Sequence, residues 1–171
     1  MTAMAYALNA LIAELALLRG ALELPVIALP HGWGLVPLPQ GSWRAEGHHA
    51  RPLIHASECR LAPDDDFDEP NERARCIDHA STSFAWIAEL CTRASARPGA
   101  RLAYVEADSF GGRGNQAAAV WEAGQRVLGP IVEASAINQA LARIGVLRRG
   151  FDDEFSTLEL GRHRITEEWL A

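Results

Sequence analysis

Apolar and polar positions follow two different spacings at the start of this chain, and the change from one to the other predicts the boundary between a strand and a helix. Tyr6, Leu8 and Ala10 alternate with smaller or polar neighbours, which predicts a strand. From residue 12 to residue 18 the apolar side chains recur at helical spacing. We therefore expect a helix to follow the strand and to end before Pro25.

Two short apolar runs come next, at residues 26–29 and 35–38, and His-Gly-Trp-Gly lies between them. They predict two strands joined by a turn, and the two prolines at the end of the second run place that strand at an edge or cut it short. Residues 41–71 show no sustained period and contain several glycines and prolines. We expect long loops there, with one short element near residues 53–59.

A helical face follows the irregular middle of the chain. It is formed by four apolar side chains: Phe84, Ile87, Ala88 and Cys91. Ser81, Thr82 or Ser83 is expected to cap this helix, and Pro98 and Gly99 to end it.

The C-terminal half is dominated by three apolar segments separated by tight turns, at residues 101–108, 116–122 and 125–132. This spacing predicts a three-stranded antiparallel meander. A helix that starts at Ser135 and stops at Gly145 is expected to follow, with a short helix and a last turn after it. The predicted fold is α+β: residues 1–171 form a single domain with a mostly antiparallel sheet and helices packed on one face.

Composition and charge narrow the function classes. The chain has 171 residues and a net charge of −6, which argues against a nucleic-acid binder that works by neutralising phosphates. Its 16 basic residues are all arginine, so chemistry that depends on a lysine is excluded. No apolar run approaches the roughly 18 residues of a membrane span, and no basic segment precedes the first apolar stretch. We therefore expect a cytoplasmic protein without a membrane partner.

Two carboxylates on the first strand of the meander are the leading candidates for chemistry. Glu106 and Asp108 are two residues apart, so both side chains point to the same face of the sheet. A carboxylate pair is suited to acid–base catalysis or to binding a divalent ion. The alternative is that the strand becomes polar where it leaves the core. Arg162 and His163 are candidate partners of this pair.

The hairpin tip that follows, Gly-Gly-Arg-Gly-Asn, offers a second candidate. Its backbone N–H groups can bind an anion, with Arg113 as a forked donor. It lacks the spacing of a dinucleotide-binding loop, because a strand and not a helix is expected to follow it. The alternative is a wide hairpin loop whose glycines permit positive φ.

Five acids and one aromatic side chain occupy six consecutive positions in the irregular middle. They are Asp64, Asp65, Asp66, Phe67, Asp68 and Glu69. They do not match a calcium-binding loop, since the glycine and the final glutamate of that pattern are missing. Two interpretations stay open: a solvated loop, or an acidic surface with an aromatic anchor that binds a basic partner.

Cysteine and histidine spacing predicts neither a metal site nor a cofactor. Cys59, Cys76 and Cys91 are far apart in sequence and form no Cys-x-x-Cys pair, so buried free thiols are expected. His48 and His49, with His55 further along the chain, are the histidines that a metal site would use, but adjacent residues point apart on any regular element and no carboxylate has a matching spacing. Motifs of serine hydrolases and zinc proteases are also missing from the sequence. A cysteine–histidine nucleophilic pair stays open, since its members need not be adjacent in sequence, but no feature favours it and we assign no catalytic residue.

Three segments suggest a family when taken together with the opening AYALNALIAEL. They are AYVEADSFGGRGNQAAAVW, AINQALARIGV and DEFSTLELGRHRITEEW. Together they resemble a group of small bacterial proteins, some of which are similar to immunity proteins of polymorphic or contact-delivered toxins. The resemblance covers roughly the last 70 residues well and the middle hardly at all, as loops commonly vary. It implies no set of catalytic residues.

The sequence therefore favours a binding protein over an enzyme. The leading hypothesis is an immunity protein that occludes the active site of a toxin, which a basic charge on the toxin would assist. The partner surface would comprise the acidic loop together with Glu106, Asp108 and Arg113. One alternative is a small enzyme that uses the Glu106 and Asp108 pair. Another is a structural or regulatory module that dimerises through a sheet edge.

Overall fold

The computed structural model of the protein describes residues 5–39, 51–63, 66–69, 71–110 and 113–171. Six strands form one sheet, and each strand is antiparallel to its neighbours, in the order β2-β3-β1-β4-β5-β6. The strands are β1 (Tyr6–Glu14), β2 (Ile27–Ala28), β3 (Trp33–Pro37), β4 (Arg101–Phe110), β5 (Arg113–Glu122) and β6 (Gln125–Val132). The described helices are α1 (Leu15–Ala21), α2 (Pro52–Leu61), α3 (Glu72–Ala94), α4 (Ala136–Ile144) and α5 (Glu154–Thr157).

This architecture confirms the predicted α+β class, the mostly antiparallel sheet and the C-terminal meander. The meander strands β4 and β5 are longer than predicted. Three further short turns of 3₁₀ helix are described: Pro30–Gly32, Leu160–Arg162 and Thr166–Leu170.

The two central strands, β1 and β4, are nearly continuous apolar runs because both of their faces are covered. Leu8, Ala10 and Ile12 point to one face of the sheet, and Leu11 and Ala13 point to the other. All five side chains are buried. A strand that is buried on both faces needs no polar alternation, which explains why the pattern near residue 12 resembled a helix. The strand in fact continues to Glu14 before α1 begins.

Helices lie on both faces of the sheet, which corrects the expectation of a single covered face. One core, which we call the α3 core, contains side chains of α1, α2 and α3 packed on the sheet, among them Leu18, Ile54 and Ile87. The other, which we call the α4 core, contains side chains of α4 and of the C-terminal segment, including Leu141 and Trp169. Successive residues of a strand point to opposite faces, so neighbouring residues along a strand pack in different cores.

Helix α3 begins at Glu72, well before the predicted cap at residues 81–83. Its hydroxyl side chains do not cap it, because they bond to the preceding turn: Thr82 donates to the carbonyl of Asp78, and Ser83 to that of His79. Serine and threonine inside a helix commonly form such bonds to the carbonyl four residues earlier.

The C-terminal segment completes the α4 core by joining the start of β1. The backbone N–H of Ala7 donates to the carbonyl of Arg164 at 2.8 Å. The hydroxyl of Tyr6 donates to the carbonyl of Leu160 at 3.0 Å, and the backbone N–H of Asn9 donates to the hydroxyl of Thr166 at 3.0 Å. These bonds hold the last turns of the chain over the sheet.

Candidate functional site

The Glu106 carboxylate is fully buried and binds the N-terminus of helix α2. Its two oxygens accept the backbone N–H groups of Leu53 at 2.8 Å and of Ile54 at 2.9 Å. The Tyr104 hydroxyl donates to the same carboxylate at 2.8 Å. The first residue of α2 is a proline and has no N–H group, so the N–H groups of the next two residues are the ones that need an acceptor from outside the helix. A carboxylate suits this position because the N-terminal end of a helix is positive.

Burial and hydrogen bonding act on Glu106 in opposite directions. Burial raises the pKa of the Glu106 carboxyl to about 7, from an ordinary value of 4.5, because a charge is costly away from water. The N–H donors of Ile54 and Leu53, the Tyr104 hydroxyl and the positive charge of Arg51 lower the pKa against that effect. Burial likewise raises the pKa of Tyr104. This carboxyl group can therefore change its protonation near neutral pH.

Asp108 supports the same helix from the outside. Its carboxylate forms an ion pair with Arg51, the residue that precedes the first turn of α2, and both side chains are partly exposed. Both acids thus point to the face that carries α2, as the sequence predicted. Their shared role is to hold the end of a helix against the sheet.

Arg162 and His163 lie on the opposite face of the sheet. The guanidinium of Arg162 lies 4.6 Å from the ring centre of Trp169, and the imidazole of His163 contacts the same ring at 4.7 Å. Trp169 belongs to the α4 core, whereas Glu106 faces the α3 core. The four side chains of the hypothetical enzyme site are therefore separated by the sheet.

The described part of the acidic loop is held by two arginines of α3. Arg73 donates to the Ala62 carbonyl at 2.5 Å, and its guanidinium lies 4.9 Å from the ring centre of Phe67. Arg75 forms a 2.6 Å ion pair with Glu69. Phe67 is half-buried by these contacts, while the acids around it stay exposed.

The rest of the predicted partner surface is described only in part. Asp66, Asp68 and Glu69 are exposed, whereas Asp64 and Asp65 lie outside the described residues. Arg113 begins β5, and the two glycines before it lie outside the described residues too. The sequence analysis included Glu106 in the partner surface, but its side chain is buried and cannot contact a partner there.

A cluster of one histidine and two cysteines joins α2 to α3, and sequence reasoning missed it. Cys59 and Cys76 are in disulfide contact, with their Cα atoms 6.5 Å apart, which corrects the expectation of free thiols at these two positions. The Nε2 atom of His55 lies 3.2 Å from the Cys76 sulfur and 3.8 Å from that of Cys59. Cys91 is a buried free thiol, as expected, and burial raises its pKa.

The cluster opens into an acidic cleft of about 500 Å³ between α2, α3 and the acidic loop. The cleft is lined by His55, Asp68, Glu69, Glu72, Arg75, Cys76 and His79. A signal for it was present in the sequence as His-x₃-Cys at 55–59 and Cys-x₂-His at 76–79. Both spacings place the two side chains on one face of a helix. A search for Cys-x-x-Cys alone does not detect them.

A second surface also escaped sequence reasoning, in the loop between α4 and α5. Leu147 is 78% exposed and Phe151 is fully exposed, and two arginines lie between them. Arg148 pairs with the buried carboxylate of Glu154 at 2.9 Å. Exposed aromatic side chains beside arginine are enriched where proteins bind one another.

No helix in the described part of the chain is both long enough and apolar enough to cross a membrane. Comparison of the chain with protein-family models, with curated protein sequences and with solved structures finds no match.

Proposed function

We propose that this protein is a cytoplasmic, immunity-type binding protein that neutralises a protein toxin by occluding its active site. The observation that carries the proposal is the described part of the acidic loop, where Asp66, Asp68 and Glu69 are exposed and two arginines of α3 contact the loop. Arg75 and Arg73 fix the loop through Glu69 and through the ring of Phe67. A surface that is ordered before binding loses less conformational entropy when a partner binds.

The charge of this surface favours a basic partner. Asp66, Asp68, Glu69 and Glu72 lie together on the loop and on the first turn of α3, and only part of their charge is balanced by Arg73 and Arg75. Complementary charge increases the association rate of two proteins and selects among partners. An enzyme that acts on nucleic acid binds the phosphates with basic residues, so its binding surface would match an acidic loop.

The competing hypotheses have less support from the geometry. The enzyme hypothesis uses the Glu106 and Asp108 pair, but Glu106 is buried and binds the start of α2. The sheet also separates this pair from its candidate partners Arg162 and His163. The dimerisation hypothesis required an open sheet edge. Strand β6 is the edge of the described sheet on one side, and it contains Pro130, which has no N–H group to donate to a neighbouring strand.

The test is a protection assay in bacteria with the product of the neighbouring gene. We expect cells that express only the neighbouring gene's product to die. Cells that express it together with the protein described here should survive. A purified complex should then associate more slowly as salt is added, because exposed charges are screened. The double variant Asp66→Lys, Asp68→Lys reverses the charge at both positions. It should bind at least about tenfold more weakly than the wild type, since it places like charges against a basic partner.

Glu89→Lys is the matched control, because Glu89 is an exposed acid on α3 at a distance from the loop. Phe151→Ser tests the second exposed surface in the same assay. Equal loss of protection by Glu89→Lys would contradict a role for the loop, and loss by Phe151→Ser alone would move the partner surface to the α4–α5 loop. Failure to bind and to protect at all would overturn the immunity function.

A further inference from the structure

We propose that His55, Cys59 and Cys76 form a zinc-binding site when the two cysteines are reduced. The site would join α2 to α3 and would have its fourth coordination position at the acidic cleft. This proposal goes beyond the binding function above and does not depend on it.

The distances from the His55 nitrogen to the two sulfurs are close to those in a tetrahedral zinc site. With Zn–S bonds of about 2.3 Å and a Zn–N bond of about 2.0 Å, nitrogen and sulfur ligands lie about 3.5 Å apart. The observed separations from the His55 nitrogen, 3.2 Å to Cys76 and 3.8 Å to Cys59, lie on either side of that value. His55 and Cys59 are one helical turn apart on α2, so a single face of that helix provides two of the three ligands.

The chemistry of the donor set favours a transition metal such as zinc. Thiolate and imidazole ligands favour zinc over magnesium and calcium, which prefer oxygen donors. The surrounding charge also favours a dication, because Asp68, Glu69 and Glu72 line the cleft with His55 and Cys76. Arg75 offsets part of this charge through its ion pair with Glu69.

The disulfide contact defines the condition under which the metal binds. A cellular dithiol transfers two electrons and two protons to the Cys59–Cys76 bond, becomes a disulfide itself and leaves two thiols. Zinc then displaces both thiol protons, so binding releases about two protons per ion. The sulfurs must separate to about 3.8 Å around the ion. The 6.5 Å distance between the two Cα atoms suits such a pair of ligands.

Metal titration of the full chain tests the proposal directly. The protein is reduced with an excess of dithiol, transferred to a phosphine reductant without oxygen, and titrated with zinc against a chromophoric chelator. We expect one ion per chain. Cobalt should give the visible bands of a tetrahedral site and the near-ultraviolet charge-transfer bands of a thiolate ligand.

Variants of the two half-exposed ligands identify the site. Cys76→Ser and His55→Gln should each weaken zinc binding by at least about a hundredfold. Loss of a hydrogen-bond partner that only supports a metal ligand already lowers metal affinity about 10- to 100-fold. Cys76→Ser should also remove part of the cobalt–thiolate absorption. Zinc should raise the melting temperature of the reduced wild-type protein and leave that of the Cys76→Ser variant unchanged.

Cys91→Ala and His31→Gln are the matched controls. Cys91 lies on α3 in the core away from the cluster, and His31 lies in the turn before β3. Both controls should bind zinc as the wild type does. The proposal is overturned if the reduced protein binds no zinc, if the ligand variants bind as well as the controls, or if the disulfide resists excess dithiol in the folded chain.

Discussion

Glu106 links the sheet to helix α2 through a charge that burial makes sensitive to pH. Its folded-state pKa is raised from 4.5 to about 7, so between these values the folded chain holds a proton that the unfolded chain has lost. Stability falls with rising pH wherever the folded state binds more protons. We expect the free energy of unfolding to decrease by about 3 kcal/mol between about pH 4.5 and pH 7, and to level off above that range.

Urea unfolding at a series of pH values measures this slope. Glu106→Gln should reduce the slope over that interval, since the amide does not titrate. Glu89→Gln is the control, because Glu89 is an exposed acid and its loss should leave the slope as it is in the wild type. A slope that persists in Glu106→Gln would assign the titration to another group.

The Tyr104 hydroxyl gives a second prediction on the same carboxyl group. It donates to Glu106 at 2.8 Å and lowers the pKa of that carboxyl group. Tyr104→Phe keeps the ring in the core and removes only the donor. A hydrogen bond to a charged acceptor is worth about 1.5–3 kcal/mol and one to a neutral acceptor about 1 kcal/mol. The variant should therefore lose more unfolding free energy at pH 8 than at pH 5. Equal losses at the two pH values would contradict a charged Glu106 above neutral pH.

Local sequence patterns predicted where these side chains point but not what they contact. The spacing of Glu106 and Asp108 was sufficient to place both on one face, because strand geometry fixes that alternation. Their partner is the start of α2, and the bond from Leu53 to Glu106 joins residues 53 positions apart in the chain. The same limit applies to His55 and Cys76, which are 21 positions apart and meet only when α2 packs on α3.

At the scale of elements, the meander was predicted well because its signals are local. Apolar segments separated by glycine-containing turns predict β4, β5 and β6 without reference to the rest of the fold. The early start of α3 was missed, because serine and threonine residues in its middle are typical of a cap and here bond within the helix. The extension of β1 was missed because helices on both faces remove its alternation.

The edge strand β6 has a tight contact with its neighbour that yields a prediction at this scale. Gly129 has φ of +79°, and a Cβ atom at this position would lie 2.5 Å from the carbonyl oxygen of Ala118. Gly129→Ala must therefore strain its own backbone and displace β5. We expect it to cost about 3 kcal/mol of unfolding free energy in a urea titration, from strain and overpacking together.

Gly150→Ala separates the two contributions. Gly150 also has positive φ, at +60°, but a Cβ atom there would meet no described atom within 4 Å. Only the backbone strain remains, and this variant should cost about 1 kcal/mol. If the two substitutions cost the same, the contact with Ala118 does not restrict β6.

The molecule as a whole consists of two cores that share one sheet. Adjacent residues of β1 enter different cores: Leu11 packs under α3, and Ile12 packs under α4. Loss of either side chain removes packing from a strand on which both cores depend. Each substitution to alanine is expected to cost about 2–5 kcal/mol, as is typical of fully buried aliphatic side chains.

The prediction of a single domain becomes testable through this shared strand. If residues 1–171 unfold as one unit, Ile12→Ala should increase hydrogen exchange by global unfolding in α3 as well as in α4, although Ile12 packs only on the α4 side. Leu11→Ala should likewise increase exchange in α4 as well as in α3, although Leu11 packs only on the α3 side. Mass spectrometry of peptides from the two helices, at a urea concentration where global unfolding controls exchange, measures both effects. Acceleration limited to the helix that contacts the substituted residue would show that the two cores unfold independently and would contradict a single cooperative domain.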